Sequence, residues 1–124
     1  MAGRSAGSAE PAMLLINART GTPLAESVEL ADTSAARRRG LLGRDGLPRG
    51  SALVLTPCNA VHTIGMRFAI DVAFVDGRGV VRRIVRELRP WRMAVSPFAS
   101  MAIEFGGGEL RRAALRVGDR LYLD

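Results

Sequence analysis

The 124-residue chain has no lysine, one cysteine, one histidine, one tryptophan and one tyrosine. Each scarcity removes a class of protein. A single cysteine leaves no internal disulfide framework, and one cysteine with one histidine cannot close a Cys/His zinc site. Aromatic residues make up 5%, and no helix-turn-helix or RNA-binding signature is present. The stacking platforms and groove helices of nucleic-acid readers are therefore missing, and nucleic acid is a disfavoured partner. Apolar runs such as 12–16 and 52–55 are short, whereas a membrane helix needs about 20 residues, so no membrane partner is expected. Residues 1–12 lack the apolar stretch of a secretory signal. They are expected to be a disordered extension or a remnant of cloning, ahead of one domain over 13–124. The cytoplasm is then the expected compartment, and an unpaired cysteine agrees with it.

What is present is ordinary globular composition, 48% apolar and 24% charged. A chain of this length buries roughly two-thirds of its unfolded surface and needs no staple to hold a core. All 18 basic residues are arginine, and the net charge is +6. Complete exclusion of lysine reads as a coding bias, not as selection of a guanidinium at each site. The arginines gather at 37–39, at 82, 83, 86, 89 and 92, and at 111, 112 and 116. They favour an acidic partner, with a solvated basic face as the plainer explanation.

Turn chemistry and alternation divide the chain. Strands are expected at 13–17, 24–31, 51–56, 69–75, 80–88, 99–105 and 120–123. Short helices are expected at 35–42, capped by the Asp32-Thr33-Ser34 run and ended by Gly43, and at 109–114. Within 80–88 the apolar residues Val80, Val81, Ile84, Val85 and Leu88 have helical spacing. The preceding Asp76-Gly77-Arg78-Gly79 turn and the β-branched content decide for a strand. Residues 90–97 read as loop. The sum is an α+β, mainly β, small single-domain barrel or sandwich of about seven strands with one or two short helices.

The densest polar cluster is Pro57-Cys58-Asn59-Ala60-Val61-His62-Thr63, then Arg67 and Asp71. Cys58 and His62 are four apart, which puts them on one side of a strand or a helix alike. Three chemistries fit. Cys58 could act as nucleophile with His62 as base and Asp71 orienting it. The same three could form an open metal site completed by water. Or the cluster lines a ligand pocket. Each has a plainer counterpart: a free cysteine often packs as a small hydrophobe, and a lone histidine is commonly an interior or rim hydrogen-bonding group. A buried Asp71 needs partners, and Arg67 or the amides of the 63–66 turn are nearest in sequence. Trp91, between arginines, suits a recognition surface, with packing over a barrel end as its structural alternative. Glu104 is expected to face outward by alternation. The Gly106–Gly108 run has no Lys-Ser/Thr after it and is not a phosphate loop.

These residues resemble a family. Leu30-Ala31-Asp32-Thr33, Arg39-Gly40-Leu41-Leu42-Gly43-Arg44 and Leu47-Pro48 resemble the opening of DUF192 (also called UPF0127). Its most specific stretch is matched by Pro57-Cys58, Val61-His62-Thr63, Gly65-Met66-Arg67-Phe68, Ile70-Asp71-Val72 and Phe74-Val75-Asp76. Leu88, Pro90-Trp91-Arg92, Ala99, Glu104 and Gly118-Asp119-Arg120-Leu121 continue the match, over about 13–123. The resemblance implies a compact, predominantly β domain with little helix, and no known reaction. Ala69 departs from it, since relatives usually have Pro there. Another branch, as the resemblance suggests, has Trp-Met-x-Asn-Thr in place of the His62 to Met66 stretch and no matching cysteine. Asp71 is then the shared polar position, which suits a structural or binding role.

The expected function is a ligand- or partner-binding accessory module, with an enzyme disfavoured. Its site is placed near residues 58–71, with Cys58, His62, Thr63, Arg67, Asp71 and Trp91 as binding residues. The expected partner is a small polar or anionic ligand, or a peptide. No cofactor and no metal is expected. The alternatives are a Cys/His/Asp enzyme or open metal site built on Cys58, His62 and Asp71, and a structural or assembly partner using Trp91 and the 93–98 loop.

Overall fold

Ile70–Val75 (β6) is buried at all six positions, because strands and side chains cover it on every side. It lies inside a five-stranded sheet with Ser27–Ala31 (β3), Ser51–Leu55 (β4), Met101–Gly106 (β9) and Val81–Leu88 (β7), in the order β3-β4-β9-β6-β7. The β3–β4 pair is parallel and the other pairs are antiparallel. The computed structural model describes residues 13–124; the expectation for 1–12 lies outside the described residues.

A parallel pair needs a crossover. Here it contains Ser34–Arg39 (α1). The Thr33 hydroxyl accepts from Ala36 N at 3.1 Å, and the helix stops at Gly40, φ 46°, three residues before the expected Gly43. Gly40 adopts a left-handed φ, which ends the helix before Leu41 reaches the core.

The sheet is covered on both faces. On one face lie Ala52, Val54, Ala73, Val75, Ile103 and Phe105. Leu15–Asn17 (β1), Thr22–Ala25 (β2) and Leu121–Leu123 (β10) form a three-stranded sheet that packs there, with Leu110 of Glu109–Arg112 (α2) and Leu115. On the other face lie Leu53, Leu55, Ile70, Val72, Phe74 and Ala102. Leu41, Met66 and a two-stranded sheet of Ala60–His62 (β5) and Met93–Val95 (β8) cover it. The result is mainly β, with ten strands and two short helices among the described residues. No helix among them is long and apolar enough to cross a membrane.

Two differences from the sequence expectation have physical causes, and so does the helical spacing within the strand expected at 80–88. The 24–31 stretch is two strands, because the chain leaves one sheet at Ala25 and enters another at Ser27. The 90–97 stretch contains β8, whose partner β5 lies about thirty residues back, a pairing that local patterning does not register. The helical spacing in β7 comes from two bulges. Against one residue per step on β6, β7 advances two between Val81 and Arg83 and spans three between Val85 and Leu88 while β6 advances two. Each extra residue shifts the alternation, so Val81 and Ile84 pack on one face and Val85 and Leu88 on the other.

The chain ends are tied by Asp119. Its carboxylate accepts from Arg19 Nε at 2.7 Å, Asn17 Nδ2 at 2.9 Å and Arg116 N at 2.9 Å. The Arg19 hydrogen bond holds it down to about 2.

Candidate functional site

β9 runs between β4 and β6 and is packed over on both faces, so alternation cannot turn a residue of its interior outward. Glu104 pairs with Leu53 on one side and Val72 on the other, and is 3% exposed. The expectation of an outward Glu104 is therefore corrected. Its Oε1 is buried without a hydrogen-bond partner. Burial pushes the carboxyl up to about 7, against the pull of the Arg44 charge.

Above it a cleft of about 400 Å³ opens between α1 and the segment from Pro57 to His62, with Glu104 in its lining. Its volume falls within the range of small-molecule sites, about 300–1,000 Å³. It lies where β4 ends at Leu55, next to the parallel β3–β4 pair. Gly40 sits close over the acid: a Cβ there would be 3.9 Å from Glu104 Oε1. Arg37 joins the two walls, donating from NH1 to Thr56 O at 3.1 Å and from NH2 to Ser34 Oγ at 3.4 Å. Arg38 and Arg39 complete a basic rim, and Glu104 is the one carboxyl in the lining.

Of the residues singled out in the sequence, the cleft brings together Cys58 and His62. Cys58 is half-buried and donates from Sγ to Ala60 O at 3.1 Å. Burial pushes its thiol up; the Ala60 bond opposes this, the Glu104 charge adds to it and Arg37 counters it. His62 accepts from Ile64 N at Nδ1, 3.2 Å, which leaves Nε2 available to donate.

The other four lie outside the cleft lining. Thr63 is fully buried and acts as a tie: its hydroxyl donates to Arg89 O at 2.6 Å and accepts from Arg92 N at 2.9 Å. Arg67 reaches Asp45 at 2.7 Å in solvent, not Asp71. Asp71 faces the opposite side of the sheet, alongside Ala73 and Val75. Its carboxylate accepts from Glu87 N at 2.8 Å and Leu110 N at 2.9 Å, so its partners are the β7 bulge and α2 and not the 63–66 turn. Trp91 is 65% exposed at φ 65° and is not packed over a barrel end.

Asp71 therefore cannot orient His62, and among the described residues no hydrogen bond joins Cys58 to His62. Nor does any group of three or more His, Cys, Asp or Glu among them stand ready to hold a metal. The residue that sequence reasoning missed is Glu104. Its signal was a lone acid inside the apolar run Met101–Phe105.

The family model DUF192, described as "Uncharacterized ACR, COG1430", matches residues 15–123. No curated protein matches the sequence. Two solved structures share the fold. A protein of unknown function from Novosphingobium aromaticivorans DSM 12444 superposes with a TM-score of 0.78 at 20% identity, covering 90% of this chain and 83% of that one. A "putative transcription regulator" from Sinorhizobium meliloti 1021 superposes with a TM-score of 0.76 at 21% identity, covering 90% and 91%.

Proposed function

Starting from the finding that this chain belongs to the DUF192 family, we propose that it is a small-ligand-binding module whose site is the cleft between α1 and the 57–62 segment. The observation that carries this reading is Glu104. A buried polar atom without a partner is a cost that native proteins seldom retain without use. A ligand that reaches the cleft floor would satisfy it. Cys58 supports binding better than nucleophilic catalysis, because its thiol proton is engaged by Ala60 O and burial disfavours the thiolate. Cys58 and His62 then serve as polar wall groups.

The test is a screen of small polar molecules by amide NMR shifts. Binders should shift residues 40–42 and 58–62 together, and Ala60→Trp, which fills the mouth from an exposed lining position, should abolish the shifts. A screen in which no molecule moves these amides would remove the reading.

A second reading, a partner surface, rests on Trp91, Met93 and Phe98, all of them well exposed. Light scattering across a concentration series checks self-association through this patch, which Met93→Glu would disrupt.

A further inference from the structure

The cleft has one polar group at its floor and a charged rim, and the two restrict what can enter. The groups facing Glu104 come from several elements. Arg37, Arg38 and Arg39 lie on α1, Cys58 and His62 lie on the opposite wall, and Arg44 acts from the turn after α1. No second carboxyl balances the three rim guanidiniums, so the mouth repels cations and attracts anions. An oxyanion placed at the floor would lie against the acid without a buried cation to compensate it. The anionic end of a ligand therefore belongs at the rim. The floor can take an uncharged group, and the walls between are apolar at Leu41, Leu55 and Val61.

We propose that the cleft binds a small carboxylate that carries a second, uncharged hydrogen-bond acceptor, such as an oxo acid, with its carboxylate at the α1 arginines and its carbonyl accepting from the Glu104 carboxyl. This deepens the ligand-binding reading above and rests on it. Glu104 is suited to donate because burial keeps its acid form populated up to about neutral pH. Since only that form donates, binding holds a proton on Glu104. Affinity then falls as pH rises past the Glu104 titration, approaching about tenfold per pH unit.

The probes are 4-oxopentanoate, pentanoate, which lacks the ketone, and the methyl ester of 4-oxopentanoate, which lacks the charge. Binding is followed by amide NMR between pH 6 and 9. The oxo acid should bind about tenfold or more tighter than either relative, because pentanoate lacks the hydrogen bond to the buried acid and the ester lacks the charge that the α1 arginines attract. Its affinity should fall with rising pH in the wild type. In Glu104→Gln, which still donates through its amide, binding should persist without a pH slope. A wild-type measurement needs no variant: the ¹³C titration of the Glu104 carboxyl should move to higher pH when the oxo acid is present.

Affinity that rises with pH, equal affinity for the three probes, or a slope retained in Glu104→Gln each overturns the proposal. So does silence from all three probes. If other polar molecules still shift the cleft amides, only this inference falls; if none does, the ligand-binding reading falls with it.

Discussion

Two carboxylates sit on adjacent strands of one sheet, pointing to opposite faces, and their surroundings differ. Asp71 on β6 is fully buried with both oxygens engaged by backbone amides. Glu104 on β9 is almost as buried, with Oε1 unpartnered. The first fastens the bulge of β7 and the start of α2 to the sheet. The second adds nothing to the fold that an apolar side chain would not add. A buried polar group with full partners is architecture, and one without them beside a cleft points to a ligand.

The largest expected effect breaks the architectural half. Asp71→Ala leaves two amides unsatisfied and should cost about 3–5 kcal/mol of unfolding free energy in urea. Asp71→Asn keeps one acceptor and should cost about 1–3 kcal/mol.

The next effect has the opposite sign. Glu104 is pushed up to about 7 in the folded protein from an ordinary carboxyl value. Between those values the folded state holds a proton that the unfolded state has released. Stability is therefore greatest at mildly acidic pH and is lost as pH rises, by roughly 3 kcal/mol on the shift alone. Urea midpoints at pH 5 and pH 8 should show this loss in the wild type and its absence in Glu104→Gln. Glu104→Leu should be at least as stable as the wild type at pH 8. A Glu104→Leu that unfolds as readily as Asp71→Ala would erase the distinction between the two acids.

Thr63 tests the same distinction from the sequence side. The sequence places it among the binding residues, yet its hydroxyl joins the end of β5 to the 89–92 loop. Thr63→Val should cost about 2 kcal/mol by leaving Arg92 N and Arg89 O without that partner, while cleft binding persists.

These contrasts also show what the sequence could disclose. Strand β6 was legible because five of its six residues are apolar and the Asp76-Gly77-Arg78-Gly79 turn follows them, the pattern of a buried strand. The β7 strand was legible through its turn despite helical spacing, since local chemistry outweighs a period that bulges distort. The β5–β8 pairing was not, because it depends on contacts between distant segments. The site was half legible. The 57–62 segment announced itself by holding the one cysteine and the one histidine. Glu104 did not, because whether alternation leads outward depends on whether a strand is covered on both faces, and that is a property of the assembled sheet. Asp71 misled for the same reason. Sequence proximity suggested Arg67, while its partners came from residues 16 and 39 positions away.

The smallest effect couples the cleft residues to each other. Burial is the main cause that holds the Cys58 thiol above its ordinary value, and the Glu104 charge adds to it. Alkylation by iodoacetamide should therefore be slow at neutral pH, with a rate midpoint above that of a free thiol. Glu104→Gln removes the charge but not the burial, so the midpoint should move down by less than the burial effect. Asp71→Asn, across the sheet, should leave it in place if the fold holds. A midpoint that responds to Asp71 and not to Glu104 would mean that the cleft is not one electrostatic unit. A fast reaction at neutral pH would mean that Cys58 is an accessible thiolate, and the enzymatic alternative would then outrank binding.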